Sequence, residues 1–391
     1  PGLPCIISGD DSPQPPRMSM REVLRWNQIE QTDRPLTANN RGTPSIMEQN
    51  TAKTITFVVP AYNMETYLSR CIESLVAAQR NDDIEVLIVD DGSHDNTPQI
   101  ADAYERRYPG IVRAIHQENK GHGGAVNTGV AEASGVYVKV VDSDDWIGAE
   151  ALERVMETLR TQVASGAPID LLVTDYVYDK VGKRVKHVVD FKHVMKPNRV
   201  LTWDDLGRFS VAQYMIMHTL TFRTEVVRAS GMQLPEHTFY VDFIYSYHPF
   251  PWVKTLMYLD VPFYHYFIGR EGQSVQTDVM IRRVNQLQLV NRCMLAATPE
   301  RGTVPDGLYR YMIHFLAIES SVTSVFLILS RKPENYKVKD ELWENIRRTS
   351  PGIYHDVRRK LISRALNLRG PVGRWMIRVG YRVANLVVGF N

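Results

Sequence analysis

Three carboxylates stand within four positions at Asp142-Ser143-Asp144-Asp145, directly after the apolar run Val138-Lys139-Val140-Val141. Like charges packed this closely repel one another unless a cation neutralises them. Carboxylates suit hard divalent ions, and such an ion suits a phosphate-bearing substrate. The stretch therefore reads as a site for Mn²⁺ or Mg²⁺. The plain alternative is a solvated acidic turn that caps the next helix. Two more polar groups end apolar, β-branched runs in the same way. The run from Ile55 to Pro60 leads into Ala61-Tyr62-Asn63, and the run from Glu85 to Val89 leads into Asp90-Asp91-Gly92-Ser93. Tyr62 could stack on a nucleobase, and Asp91 could accept a hydrogen bond from a base N–H. The loop Asn119-Lys120-Gly121-His122-Gly123-Gly124 opens a helical stretch. A helix start of this kind can bind an anion, and a tight structural turn serves equally well. The spacing matches neither a phosphate loop of the Walker type nor a dinucleotide fingerprint.

These groups need a frame to bring them together. Strand-type runs near 55–60, 85–89, 111–116 and 136–141 alternate with helical patterns near 65–78, 95–108 and 121–133. Such alternation builds βαβ units and a mostly parallel sheet flanked by helices, an α/β fold. The carboxyl ends of parallel strands share one edge, so Tyr62, Asp91 and the acidic cluster converge on one crevice. Further along, the pattern predicts a helix over 149–165, a strand over 169–174 and an antiparallel hairpin from Tyr176 to Phe191. A strand over 213–222, an aromatic-rich helix over 243–249, a strand over 257–267 and helices beyond Asp278 follow. The stretch from Met312 to Leu329 is apolar but carries His314 and Glu319, which favours a packed helix over a membrane span.

Composition sets wide bounds. The 391 residues are 44% hydrophobic and 23% charged with a net charge of +2, an ordinary globular balance. Cys5, Cys71 and Cys293 form neither a disulfide framework nor a zinc spacing, which fits a cytoplasmic setting. The expected organisation is a flexible arm over 1–50, an α/β domain over 51–275 and a helical region over 276–391. Within the domain, the candidate nucleotide groups all fall in 54–146, ahead of a second half over 147–275. The tail is strongly basic: Arg358, Arg359, Lys360, Arg364, Arg369, Arg374, Arg378 and Arg382 meet no acidic residue after Asp356. Apolar residues and Trp375 lie between them, a pattern that suits peripheral contact with an anionic membrane. The rival reading is a tail that packs on its own domain or on another subunit in a homo-oligomer. Nucleic acid is not expected as a partner, because aromatic platforms do not alternate with the basic residues.

Four motifs together resemble the family 2 glycosyltransferases, inverting enzymes of GT-A fold that use nucleotide-sugar donors. They are Val58-Val59-Pro60-Ala61-Tyr62-Asn63, Val89-Asp90-Asp91-Gly92-Ser93, Asn119-Lys120-Gly121 with Ala125-Val126-Asn127-Thr128-Gly129, and Val141-Asp142-Ser143-Asp144-Asp145. The resemblance is strong over 54–145 and fainter to about Ser274. It implies that Pro60, Ala61, Tyr62 and Asn63 line the base, usually uracil, and that Asp91 bonds it. It implies that Lys120 and Gly121 border the donor, and that Asp142, Ser143, Asp144 and Asp145 engage ribose, metal and diphosphate. Asp142 and Asp144 would be the metal ligands. A downstream Glu-Asp pair supplies the base in this family; here the matching place reads Tyr240-Val241-Asp242, so Asp242 is the expected base and Val241 replaces the Glu. Arg270, or His265, would contact the diphosphate. The implied activity is transfer of a sugar from a UDP-sugar to a hydroxyl of a glycan, lipid-linked or cell-wall polymer acceptor. The competing classes are a nucleotidyltransferase, which would need a basic glycine-rich loop after the first strand, and a non-catalytic nucleotide-sugar-binding protein.

Overall fold

The structure, a computed structural model, describes residues 53–180, 186–269, 276–368 and 370–388, with side chains described through Val383. The expected N-terminal arm and Arg270 lie outside those residues.

The first half builds as its pattern predicts. Strands β1 (Ile55–Ala61), β2 (Ile84–Asp90), β3 (Val112–His116) and β4 (Tyr137–Val140) pair in parallel in the order β3-β2-β1-β4. Helices α1 (Leu68–Leu75), α2 (Thr97–Arg107) and α3 (Gly121–Glu132) connect them. Every residue of β1 is buried, as a central strand covered on both faces must be. Pro60 fits there because β4 stops pairing with β1 at Val58↔Val140, so its missing N–H costs no ladder bond.

The second half is mixed. After β5 (Trp146–Ile147) and α4 (Ala149–Ala164) come β6 (Leu171–Lys180), β7 (His187–Val189), β8 (Val200–Leu201), β9 (Leu220–Arg223), α5 (Thr224–Ala229), α6 (Asp242–Tyr245) and β10 (Leu256–Ile268). The main path runs β3-β2-β1-β4-β9-β6-β10-β5. β9 is antiparallel to both β4 and β6, whereas β10 is parallel to β6. The expected hairpin is present as β6 paired with β7, Tyr176 opposite Val189. Two expectations need correction. The apolar run over 213–222 is strand only from Leu220; ahead of it Met215 N–H donates to the Tyr311 hydroxyl at 2.9 Å, so this backbone is held by a helix rather than by a ladder. The aromatic helix shrinks to α6, because Pro249 and Phe250 turn the chain into a 3₁₀ segment.

The remaining helices are α7 (Thr277–Arg282), α8 (Val284–Ala296), α9 (Asp306–Leu329), α10 (Pro333–Thr349), α11 (Pro351–Arg359), α12 (Leu361–Leu366) and α13 (Gly370–Val388). One hydrophobic cluster extends from Val58 and Val140 through Phe222 and Tyr245 to Leu316 and Ile346, so sheet and helices share a core. A second, with Phe57, Ile88 and Leu152, covers the opposite sheet face. Among the described residues α9 is the one helix long and apolar enough to cross a membrane, and 83% of its apolar window is buried inside the protein. Buried Glu319 on α9 accepts from Thr323 Oγ1 at 2.6 Å and from Asn291 Nδ2, and burial pushes its carboxyl up to about 7.

Helix α3 lies unusually close to β1. A Cβ on Gly129 would sit 2.1 Å from Val58 Cγ1. Overpacking of this kind costs about 1–3 kcal/mol. Gly129→Ala is therefore expected to lower the urea midpoint at unchanged slope; an unaltered midpoint would show that helix and strand can separate freely.

Candidate active site

The carboxyl ends of β1, β2 and β4 bring the sequence-predicted groups to one edge. Tyr62, 42% exposed, meets His94 edge-on with ring centroids 6.4 Å apart. Asn63 takes a left-handed backbone, φ 53°, and ties two strand ends together. Its N–H donates to Ser93 Oγ at 3.0 Å and its Oδ1 accepts from His94 N–H at 2.8 Å. Asp91 is buried, with its own N–H donating to Ala61 O at 2.9 Å. Its Oδ1 accepts from Gln117 Nε2 at 2.7 Å and from Lys120 N–H at 2.9 Å. These bonds fix its carboxylate before any ligand arrives.

The acidic cluster divides by orientation. Asp142 is partly open, and its Oδ1 meets His122 Nε2 at 2.9 Å. The Asp144 carbonyl accepts from Arg70 Nη2 at 2.8 Å, and the Arg70 guanidinium lies 3.9 Å over the Trp146 ring. Ser143 is buried between them. Asp145 points inward and is fully buried. Tyr264 O–H donates to its Oδ2 at 2.6 Å and Phe267 N–H to its Oδ1 at 2.7 Å. The same Tyr264 hydroxyl accepts from Asp142 N–H at 3.1 Å, which fastens the cluster to β10. Burial, then the Asp144 and Asp142 charges, hold the Asp145 carboxyl well above the usual range. Asp145→Ala would leave two buried donors without an acceptor, at about 1–3 kcal/mol each. A fall of about 2–4 kcal/mol in unfolding free energy is expected for Asp145→Ala, with less for Asp145→Asn; equal stability of all three proteins would refute an anchoring role.

Two buried basic residues lie beneath this edge, and the first escaped the sequence reading. Lys139, in β4, is fully buried, and Nζ donates to the carbonyls of His218 at 2.7 Å and Leu220 at 3.2 Å. Burial pushes its amine down to about 7. A lysine flanked by valines in a central strand was the available signal. A histidine at the end of an apolar run, as His218 is, would by default be a satisfied core residue. It is buried between Tyr264 and Tyr266, but neither ring nitrogen has a hydrogen-bond partner, and Nε2 faces Asp145 Oδ2 at 3.9 Å. Burial pushes it down to about 4. Side-chain donors of Asp142, Asp145 and His218 all lie within 4.8 Å of one another. Two carboxylates and a neutral imidazole form a donor set suited to Mn²⁺.

The glycine-rich loop has a packing role that its spacing did not reveal. Gly121 has φ +73°, and a Cβ there would lie 2.8 Å from His237 N; one on Gly123 would lie 2.5 Å from Pro235 O. The segment 234–240 rests directly on this backbone, joined by His237 N–H to Lys120 O at 2.9 Å. Asn127 locks it from the side, donating to Leu234 O and accepting from Leu234 N–H, each at 2.9 Å. The segment ends with Tyr240 at φ 66°, an expensive conformation for a bulky residue and a common one at functional sites. Asp242 opens α6 directly after that turn. Burial pushes the Asp242 carboxyl up to about 6; the His122 charge opposes this and the Asp142 charge adds to it. For His122, burial disfavours the charged ring, but the Asp142 hydrogen bond and the Asp142, Asp242 and Asp144 charges outweigh it and raise its value. His122 is thus bonded to Asp142 and also feels the Asp242 charge. His265 lies flat against Trp146, with centroids 5.2 Å apart, and packs at the cluster's flank. Of the aromatics near the acceptor half, Trp203, Phe250 and Tyr264 are core residues, while Trp252 is 41% exposed.

A mixed sheet whose parallel strand ends carry a paired acidic cluster has the GT-A class of fold. A crystal structure of S. aureus TarS 1–349 superposes with a TM-score of 0.59 over 84% of this chain and 91% of that one, at 19% identity. The complex of the same TarS fragment with UDP-GlcNAc gives a TM-score of 0.57. Residues 56–209 match glycosyl transferase family 2. The match takes in all four of the sequence motifs. EpsH of Bacillus subtilis is 30% identical over 230 residues, covering 55% of this chain and 60% of EpsH. Glycosyltransferase GlyG of Streptococcus pneumoniae is 40% identical over 127 residues, covering 32% of this chain and 40% of GlyG. The chain thus spans less than two thirds of these curated relatives.

Proposed function

We propose that the protein is a metal-dependent, inverting glycosyltransferase that moves a sugar from a UDP-sugar to a hydroxyl of a glycan or lipid-linked acceptor. What supports this is the 2.9 Å contact of His122 with Asp142, together with the mutual pull of the His122 and Asp242 charges and the raised Asp242 carboxyl. A leaving-group end and a base then share one crevice, although a hundred residues separate them in sequence. The UDP-GlcNAc complex of TarS supports UDP as the nucleotide.

Each group takes a role from its geometry. Tyr62, beside Pro60 and Ala61, presents an open ring face to uracil, and Asp91 is held rigid to receive the base N–H. Asp142, with Asp144 or with Asp145 and His218, would hold Mn²⁺ or Mg²⁺. Such an ion neutralises the charge that grows on the departing diphosphate. Asp242 takes the acceptor hydroxyl proton as the oxygen attacks the anomeric carbon. The bond from that carbon to the diphosphate oxygen breaks, and UDP leaves from the opposite face. One displacement inverts the anomeric centre without a covalent sugar–enzyme intermediate. A carboxyl near 6 is matched to this work, because a base functions best close to the ambient pH. The discriminating experiment is a panel of UDP-sugars with Mn²⁺, scored for UDP release with and without sugar acceptors. Release of UDP with at least one donor is expected; release of pyrophosphate from a nucleoside triphosphate, or binding without turnover, would overturn the reading.

A further inference from the structure

Helix α13 presents an apolar face that no described residue covers. On α13, Val372, Trp375, Met376, Val379 and Val383 recur at i, i+3, i+4, i+7 and i+11, which is one stripe of a helix. All five are exposed, Trp375 to 61% and Val372 to 70%. The opposite face is the one that packs. Ile377 is buried against Val325 and Ile328 of α9, and the Tyr381 ring meets Phe326 at 5.9 Å. The Tyr381 and Thr277 hydroxyls are 2.7 Å apart. On the flank, Arg374 lies 4.6 Å over the Tyr336 ring and Arg378 donates to the Tyr336 hydroxyl at 3.2 Å. The helix is therefore docked and oriented, with its bare stripe facing outward. Leu361 and Leu368, just before it, are exposed too, at 65% and 38%.

We infer that α13 is a lipid-docking helix that lays this stripe into an anionic membrane surface. Charge selects the occupant. From Val357 to Asn391 the chain has eight Arg and Lys residues and no Asp or Glu. A second copy of the same basic surface would repel, whereas anionic headgroups would attract it. An exposed Trp among aliphatic residues on a docked basic helix is the pattern of a helix lying in the membrane interface. The inference is independent of the sugar-transfer chemistry, since binding can be read without turnover.

The test is sedimentation of the full chain with vesicles of phosphatidylcholine alone and with 30% phosphatidylglycerol. The expected result is binding to the anionic vesicles only, weakened at least tenfold by 0.5 M NaCl. A Trp375→Ala/Val379→Ala variant with unchanged melting temperature is expected to bind at least tenfold more weakly, and Trp375→Phe to lose the blue shift in fluorescence on binding. Equal binding to neutral vesicles would overturn the inference, as would equal binding by the double variant. So would a dimer in light scattering that the double variant abolishes while the chain ignores lipid.

Discussion

Asp242→Asn lowers sugar transfer by about 10³ while UDP binds within a few-fold of wild type. The amide keeps the size and loses the proton acceptor, and general-base assistance is worth about 10²–10⁴. The raised carboxyl adds a pH signature. Asp242 must be ionised to act, so wild-type kcat/KM falls as pH drops through about 6. The variant loses that limb of the profile. Stability moves the other way. A carboxyl whose folded value lies above its unfolded one binds more protons in the native state, so its effect on stability worsens as pH rises from about 4 to about 6. Because Asp242 is only partly buried, solvent discounts the effect to about 1–2 kcal/mol. The variant should therefore melt higher than wild type at pH 8 and not at pH 4. A variant with full activity and an intact acid limb would remove Asp242 from the chemistry.

Asp142→Ala removes Mn²⁺-dependent donor binding and lowers turnover by about 10³. Stabilising the departing diphosphate is worth several kcal/mol, and each 1.4 kcal/mol is tenfold in rate. Asp142 is the carboxylate common to both candidate ligand sets, so its loss should exceed that of any other in the cluster. His218→Ala is the informative partner. With both ring nitrogens buried and unbonded, it should weaken Mn²⁺ about tenfold in an electron paramagnetic resonance titration. Mn²⁺ affinity unchanged in His218→Ala would leave Asp142 and Asp144 as the protein ligands. Mn²⁺ affinity and turnover unchanged in Asp142→Ala would remove the metal from this crevice.

The parallel half of the fold was legible because β1, β2 and β4 must be apolar on both faces, and such runs stand out against their turns. Tyr62, Asp91 and Asp142 could be placed together because parallel strands end on one edge. The second half was harder to read. The run before Leu220 is as apolar as a strand, but Tyr311, almost a hundred residues on, takes its backbone N–H. The glycines at 121 and 123 read equally as an anion cradle or a tight turn, and their packing against the backbone of His237 and Pro235 was not legible in their spacing. His122 went unremarked because its partners Asp142 and Asp242 are distant in sequence.

The sequence alone determined the strand ends and the carboxylates they carry, since burial on two faces and helix–strand alternation are local properties. Tertiary structure decided which way each carboxylate faces. Asp145 turns into the core because Tyr264 and Phe267, over a hundred residues away, supply its hydrogen bonds. The loop before Asp242 lies on glycines at 121 and 123 that leave room for its backbone. Both outcomes rest on contacts between distant segments, which exist only once the chain has folded.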